Sequence, residues 1–138
     1  MTRFDAAEAG TRRALFAEAI RAHRERASAF CTFEAEPGTD ADADADADGD
    51  PEPAPWVQFA DATVNFDCTD AEVTAAKALV DEFPPFRIDR LESPDGAEGT
   101  NVRVTARADA ALLARFVDRV FREVYGRDED YRAWVTAV

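Results

Sequence analysis

The chain has 138 residues and a formal net charge of −13 at pH 7, from 29 acidic and 16 basic side chains. This length suits one domain built around a single hydrophobic core. Lys77 is the only lysine. An acidic excess spread along a chain with almost no lysine is typical of a protein in molar intracellular salt, where the Debye length falls to about 3 Å. Nucleic-acid binding through a basic face is therefore not expected.

Segments for membrane insertion or secretion are not apparent. Apolar runs stay below the length of about 18 residues that a membrane span needs, and the first residues lack the apolar core of a signal peptide. We expect a soluble, cytoplasmic protein without membrane contacts. Cys31 and Cys68 lie in strand-like apolar runs without a CxxC partner, so neither a disulfide nor a thiol-bound metal is expected.

The first predicted element is a helix from Asp5 to about Ser28, because apolar residues recur there every three or four positions. Gly10 and Thr11 interrupt the pattern, so Thr11 is an alternative N-cap. A short strand, Ala29–Glu34, follows and is the first strand of the sheet.

This helix is locally basic. Its arginines are Arg12, Arg13, Arg21, Arg24 and Arg26, with Glu8, Glu18 and Glu25 among them. We expect an exposed helix face held in ion pairs. The alternative is a nucleic-acid-associated regulator that uses these arginines.

The segment from Pro37 to Pro55 contains the Asp-Ala repeat Asp40–Asp48 and no large apolar side chain. Such a composition cannot offset the entropy lost on ordering, which predicts a disordered acidic insert within a single domain spanning residues 1–138. Alternate carboxylates also resemble the start of an EF-hand loop. However, the sixth-position glycine, the twelfth-position glutamate and the flanking helices of that motif are missing.

A β-hairpin is predicted from Trp56–Ala60 and Thr63–Cys68, since both runs alternate between apolar and polar residues. One face of it would be buried, namely Val57, Phe59, Val64, Phe66 and Cys68. The other face would carry Gln58, Thr63, Asn65 and Asp67.

A second helix should begin at Thr69, which forms a capping box with Glu72, and end at Pro84-Pro85. The alternating runs Phe86–Leu91 and Asn101–Arg107 then predict a second hairpin.

The clearest helix has Asp109 as its N-cap, an apolar stripe that reaches Val124, and Gly126 as its C′ residue. Asp128 is a candidate cap for one final turn that carries Tyr131 and Trp134. The pattern leaves helix and strand open for this last segment.

These elements predict an α+β fold in which helices pack on an antiparallel sheet of about five strands, in the order α-β-β-β-α-β-β-α. This order resembles the type III secretion chaperone-like fold of the YbjN-type proteins, which implies a protein that binds extended client segments and commonly dimerises. The segments Trp56-Val-Gln-Phe-Ala-Asp, Asn65-Phe-Asp-Cys, Tyr125-Gly and Asp130-Tyr-Arg-Ala-Trp134 resemble a small-protein family of halophilic archaea without an assigned function. That resemblance implies a habitat and a domain type, but no catalytic residues.

No catalytic, cofactor-binding or metal-binding residues can be assigned from the sequence. His23 is the only histidine and lies at helical spacing from apolar residues, which favours packing over catalysis. Cys68 lies next to a helix N-terminus, an arrangement that lowers a thiol pKa. A small enzyme that uses this cysteine or a carboxylate pair is therefore the alternative.

The leading functional hypothesis is a non-enzymatic protein-binding or chaperone-like module, with another protein or a second copy of the chain as its partner. Aromatic side chains anchor protein interfaces. The candidate interface residues are Trp56, Phe86, Tyr131 and Trp134.

Overall fold

Three helices pack against one face of a seven-stranded antiparallel sheet in the computed structural model, which describes residues 5–26, 30–36, 55–60, 62–93 and 99–137. The elements in chain order are β1 (Asp5–Ala6), α1 (Ala9–Arg26), β2 (Cys31–Ala35), β3 (Trp56–Ala60), β4 (Thr63–Cys68), α2 (Asp70–Asp81), β5 (Phe86–Glu92), β6 (Thr100–Ala106), α3 (Ala110–Arg119) and β7 (Ala133–Ala137). The acidic insert predicted for residues 37–55 falls outside the described ranges, except for Pro55.

The strands lie in the order β1-β7-β2-β3-β4-β6-β5, with every neighbouring pair antiparallel. Both predicted hairpins are present, as β3–β4 and β5–β6. The α+β class with an antiparallel sheet is thus confirmed for the described residues. β5 contains a bulge, because Ile88 pairs with Val104 whereas Arg90 already pairs with Arg103.

The predicted strand number and element order are wrong at both ends of the fold. Asp5 and Ala6, predicted as helix, form a strand, and the last segment, for which the pattern leaves helix and strand open, forms β7, a strand that the predicted order lacks. Asp5 pairs with Trp134 and Ala6 with Ala133. Each short strand depends on a partner at the far end of the chain, so the local pattern does not reveal it.

The N-termini of α2 and α3 follow the predicted capping residues, whereas α1 begins at Ala9, so the alternative N-cap at Thr11 is wrong. The capping box is confirmed, since the Thr69 N–H donates to Glu72 Oε1 at 2.8 Å and the Glu72 N–H donates to Thr69 Oγ1 at 3.3 Å. Asp109 Oδ1 accepts the Leu112 N–H at 2.9 Å. Beyond α3 the stripe continues as a π-helical turn, Val120–Val124, and Gly126 follows with φ 68°.

The core lies between the helices and the inward-facing strand residues. The residues predicted for the buried hairpin face, Val57, Phe59, Val64, Phe66 and Cys68, are all buried. Aromatic contacts join the layers: the rings of Phe16 and Phe33 are 4.9 Å apart, and those of Phe86 and Phe116 are also 4.9 Å apart.

A buried ionic cluster connects α1, α3 and the segment before β7. Arg12 is fully buried, and its Nε donates to Asp118 Oδ1 at 2.9 Å. The Tyr131 hydroxyl donates to the same carboxylate oxygen at 2.7 Å, and the Arg12 guanidinium lies 3.9 Å from the Tyr131 ring centroid. The prediction of an exposed Arg12 is therefore wrong. A remote carboxylate on α3 provides the counter-charge that makes its burial tolerable.

The substitution Asp118→Asn should lower the free energy of unfolding by about 3–5 kcal/mol, because it leaves the Arg12 charge buried without a counter-charge. Urea unfolding at fixed salt measures this loss. The matched control is Glu123→Gln, which breaks an exposed ion pair with Arg119 and should cost about 1 kcal/mol or less. Equal losses in the two variants would contradict a stabilising role for the buried cluster.

Candidate functional site

The face of the sheet that points away from the helices, here called the outer face, is built from alternate strand residues. Its central members are Thr32, Glu34, Trp56, Gln58, Thr63, Asn65, Arg103 and Trp134, and all of them are only partly buried. They alternate with the buried residues of the same strands, so each points away from the core. The outward side predicted for the first hairpin is confirmed by this placement.

Glu34 lies between the two tryptophans on the outer face. It is the Cα partner of Trp56 on β3 and of Trp134 on β7. Adjacent strands lie about 4.8 Å apart, which places the two tryptophan Cα atoms on the order of 10 Å from each other. We call Trp134, Glu34 and Trp56 the tryptophan row. Two indole rings beside one carboxylate give this row both apolar area and a hydrogen-bond acceptor.

A chain of amide and hydroxyl groups continues across the outer face. Gln58 Nε2 donates to Thr32 Oγ1 at 3.5 Å, and Asn65 Nδ2 donates to Gln58 Oε1 at 3.5 Å. Asn101 Nδ2 lies 3.4 Å from Asn65 Oδ1 and 3.0 Å from Asp67 Oδ1. Most of these bonds are long and thus weak, so the groups can exchange them for contacts with a partner.

The structure divides the four candidate interface residues between the two sides of the sheet. Trp56 and Trp134 lie together in the tryptophan row. Phe86 is 5% exposed and its ring stacks on Phe83 with centroids 5.2 Å apart. Tyr131 is 2% exposed and belongs to the buried ionic cluster. A contact surface can therefore use the two tryptophans, whereas Phe86 and Tyr131 support the fold beneath it.

Phe30 is not among the interface residues that the sequence predicts, yet it is the most exposed large hydrophobic residue in the described ranges, at 52%. It precedes β2 and continues the alternation of Thr32 and Glu34, which assigns it to the outer face. The sequence contains a signal for this placement, because aromatic residues occupy both odd and even positions of the strand and one of them must point away from the core.

The cysteine and histidine side chains lie in the core. Cys68 is 3% exposed, and burial raises its pKa to about 12, with smaller contributions from Glu72 and Asp67. Cys31 is fully buried, and burial raises its pKa to about 12 as well. His23 is buried edge-on against the Phe59 ring at 5.4 Å. A thiolate nucleophile is thus strongly disfavoured at either cysteine near neutral pH.

The described residues present neither a metal-binding cluster nor a membrane-spanning helix. Within the described ranges, no group of three or more His, Cys, Asp or Glu residues is arranged to hold a metal ion. Of the helices in those ranges, none combines the length and the apolar character required to cross a membrane.

Comparison with known proteins identifies the family. The model for the family of unknown function DUF7975 matches residues 1–138, and the chain belongs to this family. Neither a curated protein nor a solved structure matches the chain.

Both thiols should react slowly with a disulfide reagent at pH 8 in the folded protein and quickly in urea. The reason is that burial disfavours the thiolate and blocks its access. A raised folded-state pKa also makes the stability contributed by each thiol complete below about pH 9 and lost as the pH rises toward about 12. Unfolding measured across this pH window tests the second effect.

The Cys31→Ser variant isolates the reaction of Cys68. Equal labelling rates for Cys68 in buffer and in urea would contradict its burial. That result would support the alternative in which Cys68 serves as a nucleophile.

Proposed function

We propose that this protein is a non-enzymatic protein-binding module that contacts its partner through the outer face, with the tryptophan row as the centre of the contact. The proposal includes a chaperone-like role, in which the face accepts a segment of another folded or extended chain. It also places the protein in a cytoplasm of high ionic strength, for which the single lysine and the net charge of −13 are the support.

The observation that carries the proposal is the position of the tryptophans. The chain has two, and the fold places both on the outer face, one on each side of Glu34. Tryptophan is enriched among the residues that dominate binding energy, because its burial removes a large apolar area from water. An indole that served only the core would lie on the helix-covered side of the sheet.

High salt favours this kind of contact. At molar ionic strength, attraction between exposed charges is screened beyond about 3 Å, whereas burial of apolar area does not depend on charge. Binding through aromatic side chains therefore stays effective in the medium to which the acidic composition points.

The contacts that the α1 arginines make within the fold weaken the nucleic-acid alternative. Arg12 is buried, Arg13 Nη1 lies 3.8 Å from Asp118 Oδ2, and Arg24 donates to the Ala108 carbonyl at 2.7 Å. Three of the five arginines considered for phosphate contacts are thus engaged within the fold. The enzyme alternative is likewise weakened by the burial of Cys68.

A photo-reactive amino acid at position 136, on the outer face, should form covalent adducts in living cells. The same group at position 115, an exposed site on α3, should form few, because α3 lies on the other side of the sheet. The mass of each adduct identifies the partner. Absence of adducts from position 136, or equal yields from both sites, would overturn the proposal.

The double substitution Trp56→Ser/Trp134→Ser should remove these adducts. Loss of one central tryptophan typically weakens binding by about 2 kcal/mol or more, which corresponds to roughly 30-fold in the dissociation constant. Both side chains are only partly buried, so an unchanged circular dichroism spectrum is the control for folding. Adducts that persist in the folded double variant would exclude the tryptophan row as the contact.

A further inference from the structure

Three arginines form a cluster at one side of the outer face. Arg90 on β5 is the Cα partner of Arg103 on β6, and Arg87 lies one outer-face position further along β5, opposite Thr105. Like charges in directly opposite positions of a sheet destabilise it. Among the described residues, no carboxylate forms an ion pair with any of the three. Within the described residues, the arginine cluster is therefore not neutralised by direct ion pairs.

The acidic residues of the outer face lie along a different line. Glu92 pairs with Asn101, which in turn pairs with Asp67. Because Gln58 pairs with Asn65, Asp67 lies level with Trp56 and hence with Glu34 in the tryptophan row. We call Glu34, Asp67 and Glu92 the acidic line. It runs across the sheet beside the arginine cluster, displaced by one outer-face position along the strands, which is about 7 Å.

A surface on which positive and negative charges are separated can pair with the same surface of a second copy, positive against negative. A two-fold axis that lies between two stacked sheets, perpendicular to their strands, reverses the direction along the strands. It leaves the position across the sheet unchanged and thereby sets Asp67 and Glu92 of one copy over the arginine cluster of the other. In a two-fold interface every such contact occurs twice.

We infer that the occupant of the outer face is a second copy of this chain, with Arg90 and Arg103 of each protomer opposed to Asp67 and Glu92 of the other. The inference rests on the proposed function and names its partner. The tryptophan rows supply apolar area to the same interface, and the paired charges fix its orientation.

The size of the face is compatible with a dimer. Seven strands at about 4.8 Å spacing and five residues at about 3.4 Å give a flat footprint of roughly 500 Å² per copy. The total of about 1,000 Å² reaches the lower bound for a specific interface, and the uneven surface of the side chains adds to this flat area.

Ionic strength determines whether two copies of the chain attract or repel each other. Two chains that each carry −13 repel one another at long range. At molar salt this repulsion is screened beyond about 3 Å, whereas opposite charges in direct contact are screened less. The dimer should therefore form in molar potassium chloride and dissociate as the salt is diluted.

Charge inversion tests the inference by light scattering on a sizing column in molar potassium chloride. Arg90→Glu/Arg103→Glu makes this part of the outer face acidic, and Asp67→Arg/Glu92→Arg makes it basic. We expect the wild-type chain to have twice its monomer mass and each variant alone to be a monomer. An equimolar mixture of the two variants should restore the dimer, because the mixed pair regains both contacts. Arg115→Glu/Arg122→Glu, on the exposed side of α3 and its π-helical turn, is the matched control and should stay dimeric.

A monomeric wild-type chain, dimeric variants or a mixture that stays monomeric would each overturn the inference. The photo-crosslink at position 136 separates this failure from failure of the proposed function. An adduct of two chains supports both ideas. An adduct with another protein excludes the second copy as partner and leaves the binding role, whereas no adduct at all removes both.

Discussion

The buried pair of Arg12 and Asp118 is the interaction on which the rest of the structure depends. Removing an ion from water costs several kcal/mol, so each member is tolerated in the core only while the other neutralises it. Arg12 also donates to the carbonyls of Ala7 and Tyr131, at 2.8 and 3.1 Å. Ala7 follows β1 and Tyr131 precedes β7, so this one guanidinium holds the two strands together at one end of their pairing. This anchoring sets β7 beside β2, and the register of β7 places Trp134 next to Glu34.

The buried ionic cluster also determines the direction in which the surface residue Trp134 points. Burial raises the pKa of Tyr131, and the neighbouring Asp118 carboxylate raises it further, so the hydroxyl stays protonated and donates to that carboxylate. Tyr131 lies three residues before Trp134 and points into the core, whereas Trp134 points outward. Anchoring of the first residue therefore fixes the direction of the second.

The parts of the fold that the sequence predicts are those with local causes. The alternation in Trp56–Cys68, the capping box at Thr69 and the cap at Asp109 each depend on residues a few positions apart, and all three are present. β1, β7 and the burial of Arg12 depend on contacts between opposite ends of the chain, which no local pattern encodes. The same limit applies to the candidate interface. Aromatic composition selected Phe86 and Tyr131 together with the tryptophans, but only the position of each strand relative to the helices separates core from surface.

The two edges of the sheet have consequences for how the protein associates. Within the described residues β1 comprises two residues, and the bulge between Ile88 and Arg90 breaks the regular hydrogen-bonding edge of β5, whose flanking side chains are charged. Such edges resist the addition of further strands. Growth into fibrils through strand-to-strand pairing is therefore blocked at both ends of the sheet. Wherever high salt screens the charge repulsion between chains, these edges would still oppose strand-to-strand association.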